Sequence, residues 1–195
     1  RSPEARVRDQ AERYLLEAMY WQEKDEEVLE ALEERDRESW DDELDLFRAV
    51  SSYRLQREDW RGLFRELFFR KSTSGIHARA YAYLERESRL ADFDPAAALF
   101  FQGKDLLYRG VNDRAIEQIL SSLGALQSER PDMEIVTREL GGAYFTLRRY
   151  GEGAETLLGL SVDLSGAERL AAVEMAGRLL RGGGEFPGAH QLLLE

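Results

Sequence analysis

The stretch Arg138-Glu139-Leu140-Gly141-Gly142-Ala143-Tyr144-Phe145-Thr146-Leu147-Arg148-Arg149-Tyr150-Gly151-Glu152-Gly153-Ala154-Glu155-Thr156-Leu157-Leu158 decides the fold. Leu140, Gly141 and Tyr144 share one face of a helical pattern, and Tyr150 follows in a short turn. A second helical run places Gly153 twelve positions after Gly141. Two helices come close only where side chains are small, so each member of a hairpin needs a Gly or Ala at the crossing. Gly141 serves the first helix in this reading, and Gly153-Ala154 the second. The pair recurs twelve residues apart as Gly103 with Ala115 and as Gly177 with Ala189. The three glycines lie 38 and 36 residues apart, and the connections 128–131 and 161–166 absorb the surplus over a shorter repeat. Ala115-x-x-x-Ile119 and Ala189-x-x-x-Leu193 keep a small-then-bulky spacing in the second helix.

Leu-Gly-x-x-Tyr on one helix with a small residue on the next resembles the tetratricopeptide (TPR) repeat, whose unit is about 34 residues. The family's early Trp is Thr137 here, and its closing Pro falls at Ser165. Gln102 stands for the Leu before Gly103, and Leu180 for the aromatic after Gly177. The resemblance covers about residues 95–195, while 1–94 reads as divergent helical hairpins. It implies an all-α fold, a right-handed α-solenoid of antiparallel hairpins forming one helical-repeat domain over 1–195. In that family the first helix of each unit lines a concave wall that holds peptides. Carried over by register, the wall is Phe100, Lys104 and Tyr108, then Arg138, Phe145 and Thr146, then Glu174, Arg178 and Arg181. Basic and aromatic side chains together suit an acidic or carboxylate-bearing peptide. The competing reading is that these residues only solvate the inner face. The Lys and Asn of the family's carboxylate-clamp subset are Phe100 and Lys104 here, so that ligand is not expected.

Composition agrees with helix throughout: four prolines in 195 residues, and a third of the residues charged. Without cysteine, the chain has no disulfide, thiolate nucleophile or Cys-based zinc site, and either the cytoplasm or the periplasm suits it. No apolar run approaches the roughly 20 residues that span a bilayer. The opening Arg1-Ser2-Pro3 and the close on Leu192-Leu193-Leu194-Glu195 give the expectation of a piece of a longer protein. Twenty-four arginines against three lysines point to a GC-rich bacterial gene. The net charge of −11 is concentrated: residues 23–45 hold 13 acidic and 3 basic side chains, and 46–94 hold 7 and 10. Nucleic acid is disfavoured, because phosphate binding requires a basic stripe.

Along the chain, Val7, Ala11, Tyr14, Ala18 and Trp21 repeat at helical spacing. Val28, Leu29 and Leu32 mark a short acidic helix. Ser39 reads as an N-cap, with Trp40, Leu44, Phe47 and Ser51 on the inward face of the helix that follows. Trp60, Leu63, Phe64, Leu67 and Phe68 make one wide apolar stripe. Ile76, Ala80, Tyr83 and Leu84 follow the cap at 72–75, and Asp94-Pro95 opens the next helix. From there helices are predicted over 96–108, 113–126, 132–147, 151–160, 167–180 and 187–194. The total is about eleven helices, with the short connections of antiparallel neighbours.

No motif for catalysis, a cofactor or a metal emerges. His77 and His190 have no ligand-spaced neighbour and read as surface or packing residues. Gly182-Gly183-Gly184 follows no strand and reads as a helix C-cap. The acidic segment 23–45 lacks the glycine of a calcium loop and reads as a solvated face, with docking of a basic partner as the alternative. Arg86-Glu87-Ser88-Arg89 with Phe93-Asp94-Pro95-x-Ala97 resembles the Glu-Ser and Phe-x-Pro-x-Ala stretch of bacterial lytic transglycosylases. Two extra residues separate the pieces and the following Gly-Leu-Met-Gln is missing, so the match is read as coincidence. The sequence therefore predicts a non-catalytic protein- or peptide-binding scaffold. The alternative is the helical superhelix that soluble-type lytic transglycosylases carry ahead of their catalytic domain.

Overall fold

A computed structural model describes residues 3–34, 42–126, 129–185, 187 and 189. Ten α-helices and one 3₁₀ turn make up the described residues, without a strand. They are α1 (Pro3–Trp21), α2 (Asp25–Glu33), α3 (Asp42–Arg54), α4 (Trp60–Arg70), α5 (Gly75–Arg86), α6 (Pro95–Tyr108), α7 (Asn112–Leu123), α8 (Met133–Thr146), α9 (Tyr150–Ser161) and α10 (Gly166–Gly182). The 3₁₀ turn is Leu90–Asp92. Ser39, Trp40 and His190 lie outside the described residues, as does most of the helix predicted over 187–194.

The chain forms two compact units, Arg1–Leu67 and Phe68–Glu195. Aromatic packing supplies the reason. Phe68 stacks on Phe101 at 4.2 Å, and Phe69 meets Phe100 edge-on at 5.1 Å. Phe93 closes the cluster against Phe101 at 5.0 Å. The C-terminal turn of α4 thus belongs to the core of the second unit.

Six helices end in the same way. Glu23, Gln56, Ser88, Gly110, Arg148 and Gly184 each lie two residues beyond a helix, with φ between 53° and 86°. In each case the next residue's N–H bonds back five positions, as in Arg149 to Tyr144 and Val111 to Leu106, at 2.8–3.0 Å. The left-handed residue itself bonds back three, as in Arg148 to Phe145. This pair of bonds is the Schellman motif, and it satisfies carbonyls that the helix end would otherwise leave bare. Three connections then coincide in full, α1–α2, α6–α7 and α8–α9. Their N-caps are Lys24 at φ −84°, ψ 63°, Val111 at −85°, 62° and Arg149 at −90°, 56°. One turn geometry is therefore used three times, including in the N-terminal half.

In the first unit, α2 lies between α1 and α3. Leu44, Phe47 and Ser51 of the predicted face are buried. The stripe Val7, Tyr14 and Trp21 points outward, 60–68% exposed, while Leu16 and Tyr20 make the inward face. Tyr20 stacks on Phe47 at 4.1 Å, which is why that side of α1 is the buried one. Asp25, 7% exposed, accepts a bond from Ser51 Oγ at 2.7 Å and faces Arg54 Nη1 at 3.4 Å. It is thus an internal anchor, not part of a solvated acidic face.

In the second unit α6 and α7 pack as a hairpin, α8 and α9 as another, and α10 packs on both α8 and α9. Asp94 caps α6 through Ala97 N at 2.9 Å with Pro95 in the first turn, as read from sequence. Asp132 caps α8 in the same manner.

Candidate peptide-binding face

The first helices of the second unit, α6, α8 and α10, carry the predicted wall. Glycine sets how closely two of them approach a neighbour. A Cβ on Gly103 would fall 2.6 Å from Ile119 Cγ1 and 3.5 Å from the Ala115 carbonyl, so α6 and α7 touch there. On Gly141 it would fall 2.6 Å from Met175 Sδ. Gly141 therefore faces α10, the next first helix, rather than Gly153 within its own hairpin. Gly153 instead sits beneath Tyr144, 2.7 Å from its Cβ by the same measure. The bulky Tyr144 occupies the α9 side of α8, which turns Gly141 to the other neighbour. Gly177 is looser, with only the Ala189 carbonyl at 4.0 Å.

Two of the nine predicted groove residues lie in the interior. Phe100 is 0% exposed within the aromatic cluster and presents no surface to a ligand. Lys104 is 1% exposed; its Nζ bonds Glu139 Oε1 at 2.8 Å, Oε2 at 2.6 Å and the Lys71 carbonyl at 3.0 Å. Glu139 also accepts from Thr73 N and from Ser72 Oγ. A buried ammonium needs a carboxylate and fixed dipoles, and this site supplies both. The register that placed Lys104 on the wall missed this pair, because its partner is 35 residues away on another helix.

The other seven, Thr146 and Glu174 among them, are at the surface. Tyr108 and Phe145, 54% and 50% exposed, lie near the ends of α6 and α8, one residue out of register with each other. Phe145 meets Tyr150 edge-on at 5.3 Å, and its ring lies over Gly182, where a Cβ would be 2.8 Å from Cε2. The ring thus crosses from α8 to the last turn of α10, which carries Arg181, with Arg178 one turn earlier. Arg178 and Arg181 are exposed and, among the described residues, face no carboxylate within ion-pair distance. Arg138 is exposed but paired with Glu134 on its own helix. The structure therefore brings Phe145 and Tyr150 together against Gly182 at the end of α10, with Arg181 adjacent in sequence, Arg138 two turns down α8 and Tyr108 on α6.

Polar links also join elements two apart in the chain. Lys104 on α6 reaches Glu139 on α8, and Glu168 in the first turn of α10 accepts from Met133 N at 3.3 Å, each across 35 residues. Asp113 on α7 meets Arg149 at the start of α9 across 36, at 2.7 Å.

No family model, curated protein or solved structure matches this chain.

His77 is the third residue of α5 and completes a capping box, its Nδ1 accepting from Ser74 N at 3.2 Å. With its ring against Phe68 and 0% exposure, it is a packing residue. Glu87 is the C-cap of α5, ion-paired with Arg86 at 3.1 Å, beside the left-handed Ser88. No group of three His, Cys, Asp or Glu among the described residues could hold a metal. No helix described is long and apolar enough to cross a membrane.

Proposed function

We propose that the second unit is a TPR-like array of stacked hairpins and that the chain is a non-catalytic scaffold for a protein or peptide partner. The binding site in this reading is the corner where α8 meets α10. One observation carries it: Arg178 and Arg181 stand exposed without a carboxylate among the described residues, beside the half-exposed ring of Phe145. In a chain of net charge −11, two arginines with no ion-pair partner among the described residues, near an aromatic ring, favour a carboxylate-bearing segment. Arg supplies forked N–H donors to the carboxylate, and Phe145 with Tyr150 supplies a rigid apolar contact. The packing of α6 with α7 and of α8 with α9 supports the repeat architecture, and the left-handed turns at Gly110, Arg148 and Gly184, 38 and 36 residues apart, support its period.

A photo-crosslinking residue in place of Phe145 tests this reading in the source cell. It should capture one dominant partner at an acidic stretch, and Arg178→Glu with Arg181→Glu should abolish the product. Equal crosslinking in the charge-reversed chain would remove the corner from the account.

A further inference from the structure

The outward face of α1 is built for a helix, and we propose that its occupant is the same helix of a second copy of this chain. Val7, Ala11, Tyr14, Ala18 and Trp21 follow one another at steps of four and three, the spacing of a two-helix seam. All five are exposed, with Val7 at 68%, Tyr14 at 60% and Trp21 at 63%, and Leu15 beside them at 57%. Leu16 and Tyr20 on the opposite side already anchor α1 to its own unit, so the helix has two apolar faces and only one is used.

The order of side chains selects the partner and its direction. Large residues alternate with alanine along the seam. Antiparallel pairing of two copies sets Val7 against Ala18 and Ala11 against Tyr14, since both sums are 25 and a two-fold axis repeats each contact. Large then meets small at the four central layers, the interdigitation that close packing requires, and Trp21 closes each end opposite position 4. Parallel pairing would stack Tyr14 on Tyr14 and Ala11 on Ala11, crowding one layer and emptying the next. Charge points the same way. Two copies of a −11 chain repel, and association needs a neutral strip. The residues flanking the seam are Arg8, Gln10, Glu17 and Gln22, with no net charge. The antiparallel arrangement brings Gln10 beside Glu17, not like charges together.

The area sets the strength. The exposed portions of Val7, Tyr14, Leu15 and Trp21 come to about 500 Å² per copy, or on the order of 1,000 Å² in a pair, the small end of specific interfaces. The dimer is therefore weak and concentration-dependent, forming at about 10–100 μM.

Sedimentation equilibrium of the whole chain tests this. The parent should show a monomer–dimer equilibrium, and Tyr14→Lys should weaken it at least tenfold with helical content and melting unchanged. Added salt should tighten the dimer by screening the repulsion, whereas it loosens peptide binding at Arg178 and Arg181. The chain has no cysteine, so direction can be read from introduced ones. Val7→Cys mixed with Ala18→Cys should form the mixed disulfide in preference to either self-pair. A parent that stays monomeric to about 1 mM, an unaffected Tyr14→Lys dimer, or preferential Ala18→Cys self-pairing would each overturn the proposal.

Discussion

Gly103, Gly141 and Gly177 occupy equal register positions, yet the space around them differs, and so should their tolerance. Gly141→Leu drives a side chain into Met175 and should cost several kcal/mol, at the upper end of about 1–3 for overpacking or above it. Gly177→Ala should be neutral or raise stability by up to about 1 kcal/mol, because alanine favours helix and nothing among the described residues obstructs its methyl. Paired melting curves check both; equal losses at the two sites would contradict the assigned contacts. The left-handed positions give a second contrast. Gly110→Ala should lose about 1 kcal/mol through strain, and Gln56→Gly should gain a similar amount by relieving it. Urea titrations decide it, and a gain at Gly110 would sink the turn assignment. Tyr81 gives a pH dependence. It is 7% exposed, and burial, then the Glu85 and Asp105 carboxylates, raise its pKa above 10.0, against the Gln102 hydrogen bond and Arg109. A raised folded-state value means that its neutral form stabilises the fold fully below about pH 10. That contribution is lost as pH climbs through the folded value. Tyr81→Phe should flatten the fall in stability between pH 9 and 11 (about one unit either side of a free tyrosine); an unchanged slope would assign it to other groups.

At the scale of elements, the boundaries of α6 to α10 were legible to within about three residues, because Asp94-Pro95, Asp132 and the glycines punctuate the chain. The turn shared by the six helices was legible only at Gly184, within the glycine run read as a C-cap. At Glu23, Gln56, Ser88 and Arg148 an ordinary side chain tolerates the left-handed conformation, and no glycine announces it. The apolar stripe of α1 was visible, but its direction was not: periodicity reports a face, not what covers it. Lys104 and Glu139 were hidden for a similar reason, since the bond that buries them joins different helices. Lys104→Ala should cost about 3–5 kcal/mol, leaving Glu139 buried with its charge uncompensated. Changing both residues to methionine should cost less than the two single changes together. A double-mutant cycle showing plain additivity would mean that the pair is not coupled.

At the scale of the whole chain, the sequence reading foresaw an all-helical molecule, and the ten described helices agree. The two compact units were not foreseen. Their division depends on Phe68 and Phe69 turning into the Phe100–Phe101 cluster, a choice that the even apolar stripe of α4 does not reveal. Of the wall residues, those near the α8–α10 corner reached the surface and those early in α6 did not. The reason is that α6 carries the aromatic cluster on the side the register assigned to the wall. The central claim is that this corner holds an acidic partner segment. Fluorescence anisotropy with a labelled acidic peptide ending in a free carboxylate tests it most directly, comparing the parent with Arg178→Glu/Arg181→Glu. The account predicts saturable binding that weakens with salt and falls at least about tenfold in the variant, with melting unchanged. Equal affinity of the two proteins would contradict it.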